Sequence, residues 1–146
     1  MKFRFRLEPM LKVAMQRLNS ASRDLVILRD RRDQLEALIS ETRAKSDRED
    51  QQLTVASDGP QAVMFYQRRE YRQNELRSLT DRRHDFEQAE RQLTERIAAL
   101  KREVYRLEKV REKALSEHVR VFRALETKQL DESAVARYRS HGGSSL

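Results

Sequence analysis

Two rows of small and apolar residues, stepping by four and three, run almost the length of the chain. The first is Leu7, Leu11, Ala14, Leu18, Ala21, Leu25, Leu28, Arg32, Leu35, Ile39, Thr42, Ser46, Glu49, Leu53 and Ala56. The second is Ala62, Phe65, Arg69, Arg72, Leu76, Leu79, Arg83, Phe86, Glu90, Leu93, Ile97, Leu100, Val104, Leu107 and Arg111, continued by Ala114, His118, Val121 and Leu125. Alternating steps of four and three give the 3.5-residue period of a left-handed coiled coil. Each row lasts about seven heptads, more than the three or four that establish such a pattern. Between them Ser57-Asp58-Gly59-Pro60 is the only strong breaker in mid-chain. The pattern predicts an all-α chain, a long antiparallel two-helix coiled-coil hairpin in one domain.

The expected elements follow. Pro is tolerated in a first helical turn, so Glu8-Pro9 opens helix 1, which runs to about residue 56. The turn occupies 57–60, with Asp58 or Gly59 as N-cap. Helix 2 runs from Pro60 to about Thr127, and a flexible tail covers 128–146, its last six residues disordered. Ahead of helix 1, Phe3, Phe5 and Leu7 alternate with Lys2, Arg4 and Arg6, which fits a short extended arm or a frayed turn.

Facing the rows sets Leu11 opposite Leu107, Leu18 opposite Leu100, Leu25 opposite Leu93, Ile39 opposite Leu79 and Leu53 opposite Phe65. Glu49 then faces Arg69, and Arg32 and Glu90 come close enough to pair across the seam. Single polar layers lower stability and fix register. The stretch from Thr42 to Glu49 is mostly polar and should be the looser half, with Thr42→Asp far milder than Leu25→Asp.

Leu7 pairs with Arg111 in this register, so helix 2 continues alone for about 16 residues, about 24 Å. Ala114, Leu115, Val119, Val121, Phe122 and Leu125 give that overhang an apolar face. Such a stripe marks a partner site, unless the Phe3–Phe5 arm or the segment 134–138 folds over it. A second candidate surface follows the turn. There Phe65 belongs to the seam while Tyr66 and Tyr71 lie off it, beside Arg69. Tyr and Arg together are enriched at protein interfaces.

Composition narrows the chemistry. The chain has 146 residues, is 38% charged, and has no Cys, which rules out disulfides and thiolate zinc sites. His84, His118 and His141 lack metal-ligand spacing, and the glycines Gly59, Gly142 and Gly143 form no phosphate loop. No catalytic, cofactor or metal residues are expected. No segment approaches the roughly 18 apolar residues of a membrane span, and the basic N-terminus lacks the apolar run of a signal peptide. The net charge of +7 suits a mixed helical surface or one that seeks an acidic partner. Arg and Lys lie on all faces among Glu and Asp rather than on one stripe, which makes nucleic acid an unlikely partner.

The sequence resembles the FliJ family, the small soluble component of the bacterial flagellar type III export apparatus. Phe3-Arg4-Phe5-Arg6-Leu7-Glu8-Pro9-Met10-Leu11 is similar to the family's opening. Phe65-Tyr66-Gln67 with Tyr71 and Leu76 looks like its aromatic segment after the turn. Tyr105 to Lys113, followed by Leu130-Asp131-Glu132-Ser133-Ala134, is similar to its C-terminal helix. The resemblance implies a non-enzymatic stalk like the γ subunit of rotary ATPases, without cofactor or small-molecule substrate. Its partners would be the hexameric export ATPase, which it stimulates, the membrane export gate and export chaperones. It would be cytoplasmic, peripheral to the inner-membrane apparatus, and serve flagellum biogenesis and motility. On that footing Arg111, Leu115, Val119, Arg120 and Phe122 are expected to meet the ATPase ring. Tyr66, Arg69 and Tyr71 are expected to meet the gate or a chaperone. The alternatives are an injectisome stalk, a generic structural coiled coil or a basic nucleic-acid binder.

Overall fold

A computed structural model of the chain describes residues 2–55 and 59–142. It is an all-α hairpin of two helices, α1 (Glu8–Val55) and α2 (Pro60–Gly142), with no strand among the described residues. Ala56, Ser57 and Asp58, with the possible N-cap at Asp58, and the tail beyond 142 lie outside the described residues.

The chemistry of the helix starts is local. Residues 2–5 form no helix, a turn follows at Arg6 and Leu7, and the Leu11 N–H donates to Leu7 O at 3.0 Å to open α1. The basic arm thus carries no helix and leads into a turn in which the Glu8 N–H donates to Phe5 O at 3.1 Å. Glu8 in the first turn complements the helix dipole. At α2, Gly59 has φ +107°, a conformation that favours glycine, and its carbonyl accepts from the Ala62 N–H at 3.0 Å. Gly59 thus holds the N-cap position and Pro60 the first helical one.

The chain divides into two compact units, Met1–Arg17 with Leu100–Leu146 and Leu18–Ala99. In the first, Leu11 and Ala14 of α1 and Leu100, Val104 and Leu107 of α2 are buried. Arg111 Nε donates to Glu8 Oε2 at 3.0 Å, one step from the expected Leu7–Arg111 pairing. In the second unit Leu35, Ile39 and Leu79 form a buried cluster against which Phe86 packs. Ile39 and Leu79 are the pair that the sequence register sets face to face.

The polar layers of the second unit hold two ion-pair clusters. Glu90 accepts from Arg29 Nε at 3.0 Å and from Arg32 Nη1 at 2.6 Å, so the expected Arg32–Glu90 pair forms with a second guanidinium added. The other cluster differs from expectation. Glu49 takes Arg72 at 2.9 Å, and Arg69 reaches Asp50 at 3.4 Å instead. Arg72 is the half-buried seam member and reaches Glu49 diagonally, whereas Arg69 turns outward.

Two further expectations are corrected. Thr42 is among the most buried residues, at 3% exposure, because its hydroxyl donates to Leu38 O at 2.8 Å and leaves its methyl to the seam. Helix α2 also runs past Thr127 to Gly142, so residues 128–142 are helix and not a flexible tail. No Gly or Pro interrupts 128–141, Lys128 and Glu132 pair at i,i+4, and Arg139 and His141 favour the C-terminal end of the dipole. Burial ends at His118, ahead of the last row members Val121 and Leu125, while the helix runs on to Gly142.

Leu79→Ala should cost about 2–3 kcal/mol in urea unfolding, while Leu38→Ala on the exposed side stays within about 0.5 kcal/mol. Thr42→Asp should be at least as damaging as Leu25→Asp, and Thr42→Val close to neutral. Hydrogen bonds from Arg29, and then Arg32, hold the Glu90 carboxyl below its ordinary value, against the effect of burial. A depressed folded pKa gives stability that is present above the unfolded carboxylate value and lost as pH falls through the folded one. The wild type should therefore lose more stability than Glu90→Gln on titration below about pH 4.5. Equal losses in both would detach Glu90 from the acid response.

Candidate partner-binding sites

In the unit built from both termini, α2 continues past its Glu8–Arg111 contact as an unpaired helix. The arm covers part of it: the Phe3 ring meets the His118 ring at 5.4 Å, tilted by 54°. Ala114 and His118 are consequently half-buried, and His118 is a packing residue of the arm. The row one position further round, Leu115, Val119 and Phe122, stays exposed, as do Val121 and Leu125. Leu130, Val135 and Tyr138 continue apolar exposure along the same helix, beyond the stretch the sequence pattern singled out. Segment 134–138 does not fold over the overhang, because it is the continuation of that helix.

The two arginines assigned to this surface are engaged within the chain. Arg111 pairs with Glu8, and Arg120 pairs with Glu117 one turn back. Arg120 remains 75% exposed, so its pairing is a surface one that a partner carboxylate can replace at little cost. Two open grooves of this unit each lie along one stretch of α2, one lined by Lys109, Glu112, Lys113, Ser116 and Glu117 and one by Glu126, Gln129, Leu130 and Ser133. They are surface furrows between successive turns, unlike the enclosed sites that hold small ligands.

In the unit Leu18–Ala99, Tyr66 and Tyr71 are exposed, at 59% and 67%. The Arg68 guanidinium lies over the Phe65 ring, 6.0 Å from its centroid. Val63 and Met64 are exposed as well, so the first two turns of α2 present an apolar and aromatic surface. Arg69, the cation assigned to it, is tied to Asp50, and behind it Arg72 bridges Glu49 and Glu75. Arg72 Nε and Glu49 Oε2 are buried without a hydrogen-bond partner, which makes this layer less well satisfied than the apolar ones.

Among the described residues no three His, Asp or Glu side chains gather as a metal cluster, and no helix is long and apolar enough to cross a membrane. The sequence pattern of one family, described as Flagellar FliJ protein, matches residues 2–143. The chain belongs to the FliJ family. It is thereby a component of the flagellar export apparatus. No curated protein and no solved structure matches it. Membership covers both exposed surfaces, the arm and the long unpaired end of α2 in one stretch.

Sequence reasoning missed Leu130, Val135 and Tyr138 because it ended the helix too early; their steps of five and three follow no single helical row, so apolar periodicity carries no signal for them. It also left open whether the arm folds over the overhang, since alternation of Phe and Arg fits an extended arm or a frayed turn and does not say where it lies. Phe3→Ala should free the arm, and trypsin should then cut after Arg4 and Arg6 several-fold faster, with the helical signal of the chain unchanged. An unchanged cleavage rate would show that the Phe3–His118 contact does not hold the arm.

Proposed function

We propose that the chain is the non-enzymatic stalk of its export apparatus, similar to a rotary-ATPase γ subunit. It binds the hexameric export ATPase, stimulates it, links it to the membrane export gate, and escorts export chaperones. The supporting observation is the row Leu115, Val119 and Phe122, exposed on a helix that has left its intrachain partner, in a chain of this family. An apolar helix face in a groove is a recurrent recognition mode, read at i, i+4 and i+7. Arg111, from the seam row, and Arg120, from the outward face of α2, offer their charges to acidic loops of the ring by exchanging Glu8 and Glu117 for them.

Tyr66, Arg69 and Tyr71 form the second contact, to the gate or a chaperone. Exposed Tyr with Arg is the composition of an interface centre. The incompletely satisfied Arg72–Glu49 layer beneath it supports local repacking on docking. The ATP chemistry belongs to the partner, and the chain works from the cytoplasmic side of the apparatus without inserting in the membrane.

Replacing Leu115, Val119 and Phe122 together by Ser should abolish stimulation of the export ATPase while far-ultraviolet circular dichroism stays unchanged. Tyr66→Ala with Tyr71→Ala should keep stimulation and reduce motility and secretion. A folded triple variant that still stimulates fully would dismiss the ring contact, and a tyrosine variant that loses only stimulation would exchange the two surfaces.

A further inference from the structure

The excess positive charge of the chain is confined to one unit. Residues 1–17 and 100–146 hold sixteen Lys and Arg against eight Asp and Glu, whereas residues 18–99 hold fifteen against sixteen. Within the basic unit the charges are sorted by face. Opposite the buried Leu100, Val104 and Leu107, the outward row of α2 reads Arg102, Arg106, Lys109, Lys113, Arg120 and Arg123. All six are exposed, and no Asp or Glu occupies that row from 102 to 137. The same heptad positions of α2 in the other unit carry Asp81, Asp85 and Glu95 and no cation. A single stripe thus exists where the sequence pattern was read as evenly mixed, because mixing of sign along the chain hides sorting around the helix.

Four of these cations are uncommitted. Lys109 pairs with Glu112 and Arg120 with Glu117, while Arg102, Arg106, Lys113 and Arg123 make no ion pair among the described residues. From Arg102 to Arg123 the stripe runs about 30 Å along α2, with Ser116 its one neutral member.

We infer that this stripe is a docking face for an anionic lipid bilayer surface, which the helix meets side-on without inserting. Three features favour a flat polyanion over an enclosing one. Glu103, Glu112 and Glu117 stand on the flanks of the stripe, where a groove or channel lined with negative charge would be repelled. A plane touches only the outward line. Second, lipid headgroups diffuse to match a straight row of cations, whereas duplex phosphates wind away from it. Third, Tyr105 is 60% exposed on one border of the stripe and Val110 45% on the other, the amphipathic trim suited to a headgroup layer. Each Lys or Arg near an anionic membrane strengthens adsorption about fivefold, and the attraction fades within a Debye length as salt rises.

The inference stands on the charge pattern and not on the ATPase reading, and its test needs no ATPase. The full chain is sedimented with vesicles of phosphatidylglycerol and phosphatidylcholine, and with phosphatidylcholine alone. Two variants of equal net charge are compared, R102Q/R106Q/K113Q/R123Q and, in the other unit, R23Q/R43Q/R77Q/R82Q, both checked for unchanged helicity. Binding should require phosphatidylglycerol, weaken with salt, and fall on the order of a hundredfold or more in the first variant, with no more than about twofold change in the second. Equal losses in both would reduce the effect to net charge and overturn the stripe. Absence of binding to phosphatidylglycerol, or tighter binding to duplex DNA at the same ionic strength with the same variant dependence, would overturn the bilayer as its partner.

Discussion

Two helices bury only the strip along which they touch, and everything else about this chain is arranged around that limit. The strip is one residue wide on each helix, so small side chains, Ala14 and Ala21, sit among the Leu and Ile that fill it. With so little apolar area, no side chain among the described residues is sealed completely, and the core residues remain 2–9% exposed. Each polar member of the strip must then be satisfied inside it. Thr42 does so through its own helix, Glu90 through two arginines, and Glu49 through Arg72 with one oxygen left over. The last is the least complete solution, and it involves Arg72, next in sequence to the exposed Tyr71.

The same limit puts most side chains on the outer faces of the helices, where they fall into rows. Such rows are selected by helical position. Neighbouring rows of α2 differ by one residue in sequence and differ wholly in character. Ala114 and His118 meet the arm, Leu115, Val119 and Phe122 are exposed and apolar, and Lys113, Arg120 and Arg123 form part of the cationic face. One helix therefore carries several separate surfaces at the same height, and substitutions confined to one row should leave the others intact.

The seam was legible in the sequence because its period is a direct consequence of helix geometry. Almost every row member from Leu7 to Leu107 is buried or half-buried, Arg69 being an exception because its guanidinium escapes toward Asp50. The helix starts were legible for the same kind of reason, since Pro9, Gly59 and Pro60 act through local backbone constraints. What was not legible depended on side-chain reach or on the wrong proxy. Arg72 rather than Arg69 meets Glu49 because a long side chain spans a full turn, which register by Cα position ignores. The end of α2 was misplaced because apolar periodicity reports burial, and a helix can continue without it.

That continuation has its own physical basis. An isolated helix of ordinary composition is marginal because its first turn is costly to nucleate. In α2 nucleation is shared with the packed segment around Val104 and Leu107, and each later residue adds one hydrogen bond for one residue fixed. Surface pairs at three and four residues, Arg120 with Glu117 and Lys128 with Glu132, add a few tenths of a kcal/mol each, about 0.2–0.5. The unpaired end is thus already helical before any partner arrives. A disordered tail of the same sequence would have to be ordered on binding, at a loss of affinity, whereas this one presents Leu115, Val119 and Phe122 in fixed register. The packed seam thus nucleates the helix that carries this exposed row.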